Sequence, residues 1–299
     1  MVTMTRHPGS RIPRSRLESS EPGHLHDHVR GIRAHWLGQA GFLFEGGGLR
    51  VLVDPYLSDS LAIKYRGGKY SHTRMSRTPV APEELRDIDF VLVSHSHSDH
   101  LDPGTLPAIA SSNPECRFVI PESCLGMALE RGIPGNAILT VNANDRLALG
   151  RSNVLTVIPS AHEELTRDEN GHFLHLGYIL ELGGIRLYHS GDCSPYPGLA
   201  ESLAGLRPDI AFLPVNGRDD ERTANGIIGN FTLQEAVDLV LSVPIGLGVG
   251  HHFGLFDFNT IDPGEGARYL SSRPETGGRF ILAEQGTMLA FHAQPLGQT

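Results

Sequence analysis

The sequence is poor in several residue types, and each shortage argues against a class of protein. Its 299 residues include only three cysteines, Cys116, Cys124 and Cys193, too few and too scattered for a disulfide framework or a cysteine-rich zinc site. No apolar run approaches the roughly 18 residues of a membrane span, so we expect none. The N-terminus has basic residues but no apolar stretch, which does not fit a secretory signal. We therefore expect a cytoplasmic protein.

Lysine is also scarce. Lys64 and Lys69 are the only two, so 23 of the 25 basic residues are arginine. The formal net charge is −9 and the sequence contains no stripe of basic residues. Both observations argue against a nucleic-acid partner. If the substrate is anionic, arginine is the expected clamp, because its planar fork suits phosphate and carboxylate groups.

The length and composition are those of an ordinary globular protein, with 39% hydrophobic and 20% charged residues and enough chain for a buried core. Residues 1–28 show no periodicity and are rich in polar and turn-forming residues, which predicts a flexible N-terminal extension. His24, His26 and His28 alternate there, and we interpret them as part of a polar tail, with metal binding as the alternative. Residues 29–299 show no repeat or linker and are predicted to form one domain.

Strands and helices alternate through this domain. Three strands are predicted at its start, over residues 32–37, 41–45 and 49–53. The polar loop at 60–80 is longer than a connection needs and is predicted to be a lid or binding loop. Its cationic residues include Lys64, Arg66, Arg74 and Arg77.

Polar clusters follow the apolar runs at the ends of predicted strands. They are Asp54, residues 95–100, His162, Asp192, Asn216 and His252. In sheet proteins with helices outside, ligands collect beyond the strand ends. We therefore expect side chains from distant parts of the chain to meet at one edge.

The stretch VLVSHSHSDHLDP, residues 91–103, predicts a metal site. His95 and His97 are two apart, so on an extended segment both imidazoles point the same way and can reach one ion. Asp99 and His100 follow as the chain turns and can reach a second ion. Imidazole and carboxylate suit zinc, manganese or iron. Further ligands are needed, and the downstream candidates are His162, Asp192 and either His251 or His252.

This set of motifs resembles the metallo-β-lactamase fold superfamily. Its order along the chain is HSHSDH, a lone histidine, SGD and a strand-end histidine. The resemblance implies an α/β fold, an αββα sandwich of two mixed sheets with helices outside and two divalent metal ions at one edge. It implies that His95, His97 and His162 hold the first ion, that Asp99, His100 and His252 hold the second, and that Asp192 bridges them. The segment after His252 resembles an H-aromatic-x-x-F pattern, so His252 is preferred and His251 is the alternative.

Within the superfamily, four segments resemble the L-ascorbate-6-phosphate lactonase group. They are HWLGQAGFLFE, LYHSGDCSPY, residues 214–236 and GHHFGLFDFNTIDP. This chain departs from the namesake enzyme in being shorter and in carrying its own N-terminal extension. The resemblance implies a cytoplasmic, manganese-dependent hydrolase that opens the lactone ring of a sugar phosphate and forms a homo-oligomer. Zinc and iron remain open beside manganese, because histidine and aspartate bind all three.

The expected reaction is attack of a metal-bound hydroxide on a lactone or ester carbonyl. Asp192 and Asp99 are the predicted catalytic residues, because Asp192 would bridge the ions and Asp99 would orient the hydroxide. The substrate is expected to be a small anionic molecule. Candidate contacts to it lie on one polar loop: Asn216, Arg218, Arg222 and Asn230.

Other functions compete with this one. A phosphodiesterase of the same fold would use the same two ions. A non-hydrolytic di-iron oxidoreductase usually has glutamate where this chain has His97. A nuclease would bring a basic face, which the net charge argues against. A non-catalytic metal-holding protein is disfavoured because every predicted ligand position is filled.

Overall fold

The computed structural model describes residues 2–19, 31–150 and 152–293, which form two mixed β-sheets with helices on the outside. The strands are β1 Val2–Pro8, β2 Gly31–Gly38, β3 Gly41–Gly46, β4 Leu49–Val53, β5 Phe90–Leu92, β6 Arg117–Pro121, β7 Ile138–Val141, β8 Arg146–Ala148, β9 Val154–Pro159, β10 Leu176–Leu182, β11 Ile185–His189, β12 Ile210–Pro214, β13 Leu247–His251, β14 Phe280–Leu282 and β15 Thr287–Ala293. The helices are α1 Arg16–Ser19, α2 Ser60–Lys64, α3 Leu106–Ser112, α4 Leu125–Glu130, α5 Leu199–Leu206, α6 Asp220–Ala224, α7 Leu233–Ser242 and α8 Pro263–Ser271. The three strands predicted at the start of the domain are confirmed as β2, β3 and β4.

Both sheets combine a run of parallel strands with antiparallel strands. The first runs β1-β15-β2-β3-β4-β5-β6-β7, and the second runs β14-β13-β12-β11-β10-β9-β8. In the first sheet β4 to β7 are parallel, and in the second β11 to β14 are parallel, while the remaining pairs are antiparallel. The predicted α/β sandwich of two mixed sheets is thereby confirmed. Parallel strands place their carboxyl ends at a common edge, where ligands bind in folds of this type.

Alternation along the strands produces two apolar layers. On β3, Phe42 and Phe44 point toward the second sheet, where their ring centres lie 4.8 and 4.9 Å from that of Phe212 on β12. Leu43, between them, joins the outer layer with Phe118 on β6 and Ile109 on α3. Because successive side chains on a strand face opposite sides, a sheet covered on both faces must be apolar on both. The inner layer forms the larger core.

Residues 2–19 differ from the flexible extension that we expected over residues 1–28. The strand β1 pairs antiparallel with β15, from Val2 opposite Ala293 to Pro8 opposite Thr287, and forms the edge of the first sheet. An edge strand with exposed side chains has no strong apolar pattern, so composition alone did not reveal it. His24, His26 and His28 lie outside the described residues, and the domain boundary at residue 29 stays a prediction.

An ionic cluster is buried on the outer face of β2, β3 and β4. Glu45 pairs with Arg50, and its Oε2 lies 3.6 Å from Arg33 Nε and 3.5 Å from His35 Nε2. Arg50 also donates to the main-chain oxygen of Pro13 at 2.7 Å, which ties the N-terminal segment to the sheet. Burial alone would raise the pKa of Glu45, but these cationic neighbours and the His35 hydrogen bond outweigh burial and lower it to about 2.

The helix α7 shows how local sequence sets an element boundary. Thr232 Oγ1 accepts from the main-chain nitrogen of Glu235, while Glu235 accepts from the main-chain nitrogen of Thr232, forming a capping box. The buried face of the helix packs on β12 and β13. In the described ranges, no helix is long and apolar enough to cross a membrane.

Candidate metal centre

The predicted ligands meet beyond the strand ends, as expected. The turn after β5 carries His95, His97, Asp99 and His100. His162 follows β9, Asp192 follows β11 and His252 comes directly after β13. Strands of both sheets therefore contribute, and the site lies where the two sheets open at one edge.

The side chains form two groups. The first contains one ligand atom each from His95, His97, His162 and Asp192, all within 4.8 Å of one another. The second contains ligand atoms of Asp99, His100 and His252 within the same distance of one another. Apart from Asp192, which falls in the first group here, this division of the ligands is the one that the sequence resemblance implies.

Asp192 lies between the two groups. Its Oδ1 is 3.1 Å from Nε2 of His252 and 3.4 Å from Nε2 of His100, both in the second group. Its Oδ2 is 3.7 Å from Nε2 of His162 in the first group. Each carboxylate oxygen thus faces one group, which is the arrangement that a bridging ligand requires.

The donor set fits divalent cations. The Nε2 atoms of His95, His100 and His252 and the Oδ1 atom of Asp192 are buried and have no hydrogen-bond partner. Burying such atoms without a partner costs free energy, so they are rarely found in a folded protein without a ligand. Imidazole nitrogen with carboxylate oxygen suits zinc, manganese or iron, and these residues could hold two such ions.

The charges of the site suit this role. Burial lowers the pKa of His95 well below its usual range and that of His162 to about 4, so both rings are neutral at pH 7 and keep a free lone pair. Burial raises the pKa of Asp192, but His252 and His100 outweigh burial and hold the pKa well below its usual range. For His100 and His252, burial lowers the pKa while the Asp192 charge outweighs it and raises the pKa. A cation must displace those protons, so its affinity is expected to fall in acid.

Asp54 orients one ligand and had no role assigned from the sequence. It is fully buried, and its carboxylate accepts from the main-chain nitrogen and the hydroxyl of Ser94 at 2.7 and 2.6 Å. Its Oδ2 lies 2.8 Å from Nδ1 of His100. A carboxylate on the far nitrogen fixes the orientation of a ligand imidazole and raises its basicity. The only sequence signal was the position of Asp54 directly after a strand.

Gln39 supports two further ligands. Its Nε2 donates to Oδ2 of Asp99 at 3.0 Å, and its main-chain oxygen accepts from the main-chain nitrogen of His252 at 3.0 Å. Gln39 and His252 both have left-handed backbone angles, with φ of 51° and 66°. Such angles cost about 1–3 kcal/mol each and persist where the surrounding structure imposes them. The turn between β2 and β3 therefore helps to position the second group.

The structure distinguishes the two adjacent histidines after β13. His252 joins the metal-ligand group, whereas His251 packs inside the sandwich, with its ring centre 5.1 Å from His189 and 5.4 Å from Phe42. His251 is the last residue of β13, and the left-handed φ of His252 ends the extended backbone there, so the two adjacent side chains point to different places. The position of His252 agrees with the preferred assignment.

His175 is a fourth imidazole beside the first group, and sequence reasoning did not single it out. Its ring centre lies 4.9 Å from that of His95 and 5.4 Å from that of His162. Burial lowers its pKa to about 3, with His162 acting in the same direction. His175 precedes a strand instead of following one, so the strand-end pattern could not find it.

A cleft of about 480 Å³ opens over the metal-ligand groups. Its walls come mainly from three segments, 61–72, 225–228 and 256–259. The rest of the lining includes Gln39, Met127, Arg131 and the ligands His97, Asp99, His162, Asp192 and His252. Part of the loop predicted as a binding loop thus does reach the site. Arg66, Arg74 and Arg77 from the same loop line a neighbouring cavity instead. A larger cavity of about 810 Å³ near the N-terminal segment contains none of the candidate ligands.

The candidate substrate contacts lie behind the cleft and do not line it. Arg218 makes a two-pronged ion pair with Glu235, at 2.6 and 2.7 Å. Asn230 Nδ2 donates to Asn216 Oδ1 at 3.1 Å, and Arg222 donates to Asp219 at 2.6 Å. These contacts engage both arginines and tie Asn230 to Asn216 within the loop before α7. The cleft is lined instead by the next residues of that loop, including Asn225 and Ile228.

Comparison with known proteins places this geometry in a wider group. A model of the β-lactamase superfamily domain matches residues 49–253. A UPF0173 metal-dependent hydrolase of Archaeoglobus fulgidus is 30% identical over 239 residues, which cover 78% of this chain and 87% of that protein. N-acyl-phosphatidylethanolamine-hydrolyzing phospholipase D 1 of Caenorhabditis elegans is 24% identical and is matched over 78% of this chain and 66% of its own length. Among solved structures, an isothiocyanate hydrolase from Delia radicum gut bacteria superposes with a TM-score of 0.70 at 17% identity, covering 87% of this chain and all of that one.

Proposed function

The chain belongs to the metal-dependent hydrolases of the β-lactamase superfamily, and we propose that it opens a lactone or ester of a small anionic molecule, with a sugar-phosphate lactone such as L-ascorbate 6-phosphate as the substrate to test first. The observation that carries the proposal is the pair of ligand groups joined by Asp192 at the floor of one cleft. The choice of a lactone rests on the sequence resemblance described above.

The residues of the site have separate roles in this reaction. Bound divalent ions, two by this proposal, would supply Lewis acidity and a nucleophile drawn from water near neutral pH. Asp192 holds one carboxylate oxygen toward each group and so keeps them in register. Asp99, held by Gln39, presents a carboxylate at the edge of the cleft, where it can accept a proton from the attacking water. Water adds to the carbonyl carbon, the ring C–O bond breaks, and the leaving oxygen takes up a proton.

The test compares the wild type with Asp192→Asn. Metal-stripped protein is reloaded with manganese or zinc, and ring opening of L-ascorbate 6-phosphate is followed beside metal content. We expect metal-dependent turnover in the wild type, and loss of both turnover and bound metal in the variant, because the asparagine amide cannot bridge two cations. Near-normal turnover by the variant would refute the assigned role of Asp192. An inactive wild type with both ions bound would refute the substrate.

A phosphodiesterase is the second candidate, and the similarity to the Caenorhabditis elegans phospholipase favours it. The same ligand groups would serve, because a phosphodiester presents an oxygen for polarisation and a leaving alkoxide in the same way. Hydrolysis of bis(p-nitrophenyl) phosphate by the metal-loaded protein, measured beside the lactone, separates the two. A phosphodiesterase turns over the diester with the higher kcat/KM, and a lactonase shows the reverse order.

A further inference from the structure

Both lysines of the chain line the cleft over the metal-ligand groups. Lys64 is the last residue of α2 and Lys69 follows five residues later, and each shares the cleft lining with His97 and Asp99. A chain with 25 basic residues and a net charge of −9 thus places both of its lysine ammonium groups beside the candidate reaction centre. Both side chains are exposed to solvent.

The ammonium groups retain capacity for a ligand. Lys64 Nζ lies 5.0 Å from the ring centre of Tyr65. Lys69 Nζ lies 4.8 Å from the ring centre of Tyr70 and donates one hydrogen bond, to Asn225 Oδ1 at 3.0 Å. Across the described ranges, neither lysine makes an ion pair with a carboxylate. An ammonium group has three donors, so both lysines can still donate to an anion.

The third cation of the cleft is engaged elsewhere. The Arg131 guanidinium donates to the main-chain oxygens of Ser96, at 3.0 Å, and Leu101. It therefore supports the turn that carries the ligands. Arg131 is the one arginine of the described cleft lining, and these contacts hold its guanidinium against the turn, which leaves the two lysines as the cations available to an anion there.

Aromatic contacts hold the lysine segment against the rest of the cleft. The ring of Tyr65 stacks on His72 with ring centres 4.3 Å apart. His72 in turn packs edge-on against Phe256 and Phe258, at 5.0 and 4.8 Å. Phe256 and Phe258 follow shortly after His252. The segment with the lysines is thus anchored to the segment that carries a candidate ligand, which limits how far the ammonium groups can move from the site.

We propose that Lys64 and Lys69 form an anion subsite that binds the phosphate group of the substrate while its reacting carbonyl lies over the metal-ligand groups. This assignment rests on the proposed hydrolase function and specifies how the substrate is recognised. Two cations on one wall of a cleft raise the local concentration of an anion and align it on entry. Lysine binds phosphate as a mobile point charge, so it suits a monoester whose position varies between bound substrate and product.

The test uses two ligands that differ only in the phosphate, 6-phosphogluconate and gluconate, each titrated calorimetrically onto the metal-loaded protein. The wild type is expected to bind 6-phosphogluconate more tightly. In Lys64→Gln/Lys69→Gln this selectivity should fall by about tenfold for each lost charge-assisted contact. Arg66→Gln is the matched control, because Arg66 lies between the lysines but lines a different cavity. Lys64→Arg/Lys69→Arg keeps the charges and should retain most of the selectivity.

The outcomes separate this assignment from the proposed reaction. A wild type without selectivity, or a double glutamine variant as selective as the wild type, overturns the lysine subsite. Equal losses in Arg66→Gln and the double variant also overturn it, because the effect would then be one of general charge. Hydrolysis of 6-phosphogluconolactone and gluconolactone is measured on the same samples. Lysine-dependent binding without lactone turnover supports the subsite and rejects the lactonase proposal, whereas the reverse result rejects only the subsite.

Discussion

Asp54 allows a sharp test of how the second ligand group is assembled. Its carboxylate accepts two hydrogen bonds from Ser94, and its Oδ2 lies 2.8 Å from Nδ1 of His100. Asparagine has the same shape and tolerates the left-handed φ of 44° at this position. Asp54→Asn therefore changes little except that one acceptor oxygen becomes a donor amide and the negative charge is lost.

We expect this change to weaken one of two metal-binding steps about 10- to 100-fold, equivalent to about 1.4–2.7 kcal/mol, as is typical when the partner of a ligand histidine is removed. The affected step belongs to the group containing His100. Among the described contacts, Asp54 reaches the group of His95, His97 and His162 through Ser94, whose Oγ lies 2.9 Å from Nδ1 of His95, so the affinity of that group should fall less. Titration of metal-stripped protein with manganese or zinc against a competing chelator resolves the two steps.

Asp102→Asn is the matched control for this experiment. Asp102 is a fully buried carboxylate at the end of the turn that carries His100, and it accepts hydrogen bonds from Ser58 at 2.9 Å, Ser60 at 2.7 Å and Thr105. It therefore reports the general cost of losing a buried carboxylate close to the site. The orienting role of Asp54 would be refuted if Asp54→Asn bound both metal ions with wild-type affinity. It would also be refuted if Asp54→Asn and Asp102→Asn lost equal affinity.

Three further predictions address other parts of the molecule. Glu45→Gln should flatten the acid dependence of stability, because the lowered pKa of Glu45 contributes about 3 kcal/mol that is present above pH 4.5 and lost as the pH falls toward 2. Denaturant unfolding of metal-stripped protein at pH 7 and pH 3.5 checks this, and parallel pH profiles in wild type and variant would contradict it. Gln39→Asn keeps a residue that tolerates φ of 51° but is too short to reach Asp99, so kcat should fall about tenfold or more with metal content verified, and an unchanged kcat would exclude the role. Thr232→Ala removes the helix cap and should cost about 1 kcal/mol of unfolding free energy, whereas Thr232→Ser should restore most of it; equal stability of all three proteins would contradict the cap.

Much of the candidate site was predictable because its signal is local. His95, His97, Asp99 and His100 lie on one turn, so their spacing alone brings them together. The more distant ligands carry no such signal, since each is a single histidine or aspartate after a strand. Their place depended on resemblance to a known fold. The fold class likewise rested on that resemblance, whereas the apolar runs of β2 to β4 indicated the first strands directly.

Other features were not predictable from local pattern. Arg218 and Arg222 have the right chemistry for an anion, but their side chains pair with Glu235 and Asp219 in the folded chain. Lys64 and Lys69 have the same chemistry and remain available in the cleft. Sequence reports which charges exist, whereas the packing around each charge decides whether it is already neutralised.

The sequence by itself determined the strands β2 to β4, the metal-binding side chains of residues 95–100 and the scarcity of lysine, because these follow from residue type and spacing along a few consecutive positions. Only the tertiary structure decided which strand ends meet, and therefore that Asp54 orients His100, that Gln39 holds Asp99 and that His252, instead of His251, faces the site. The physical reason is range. Periodicity and ligand spacing act over one turn or one strand, whereas a hydrogen bond between residues 39 and 99 exists only after two sheets have packed and brought their edges together.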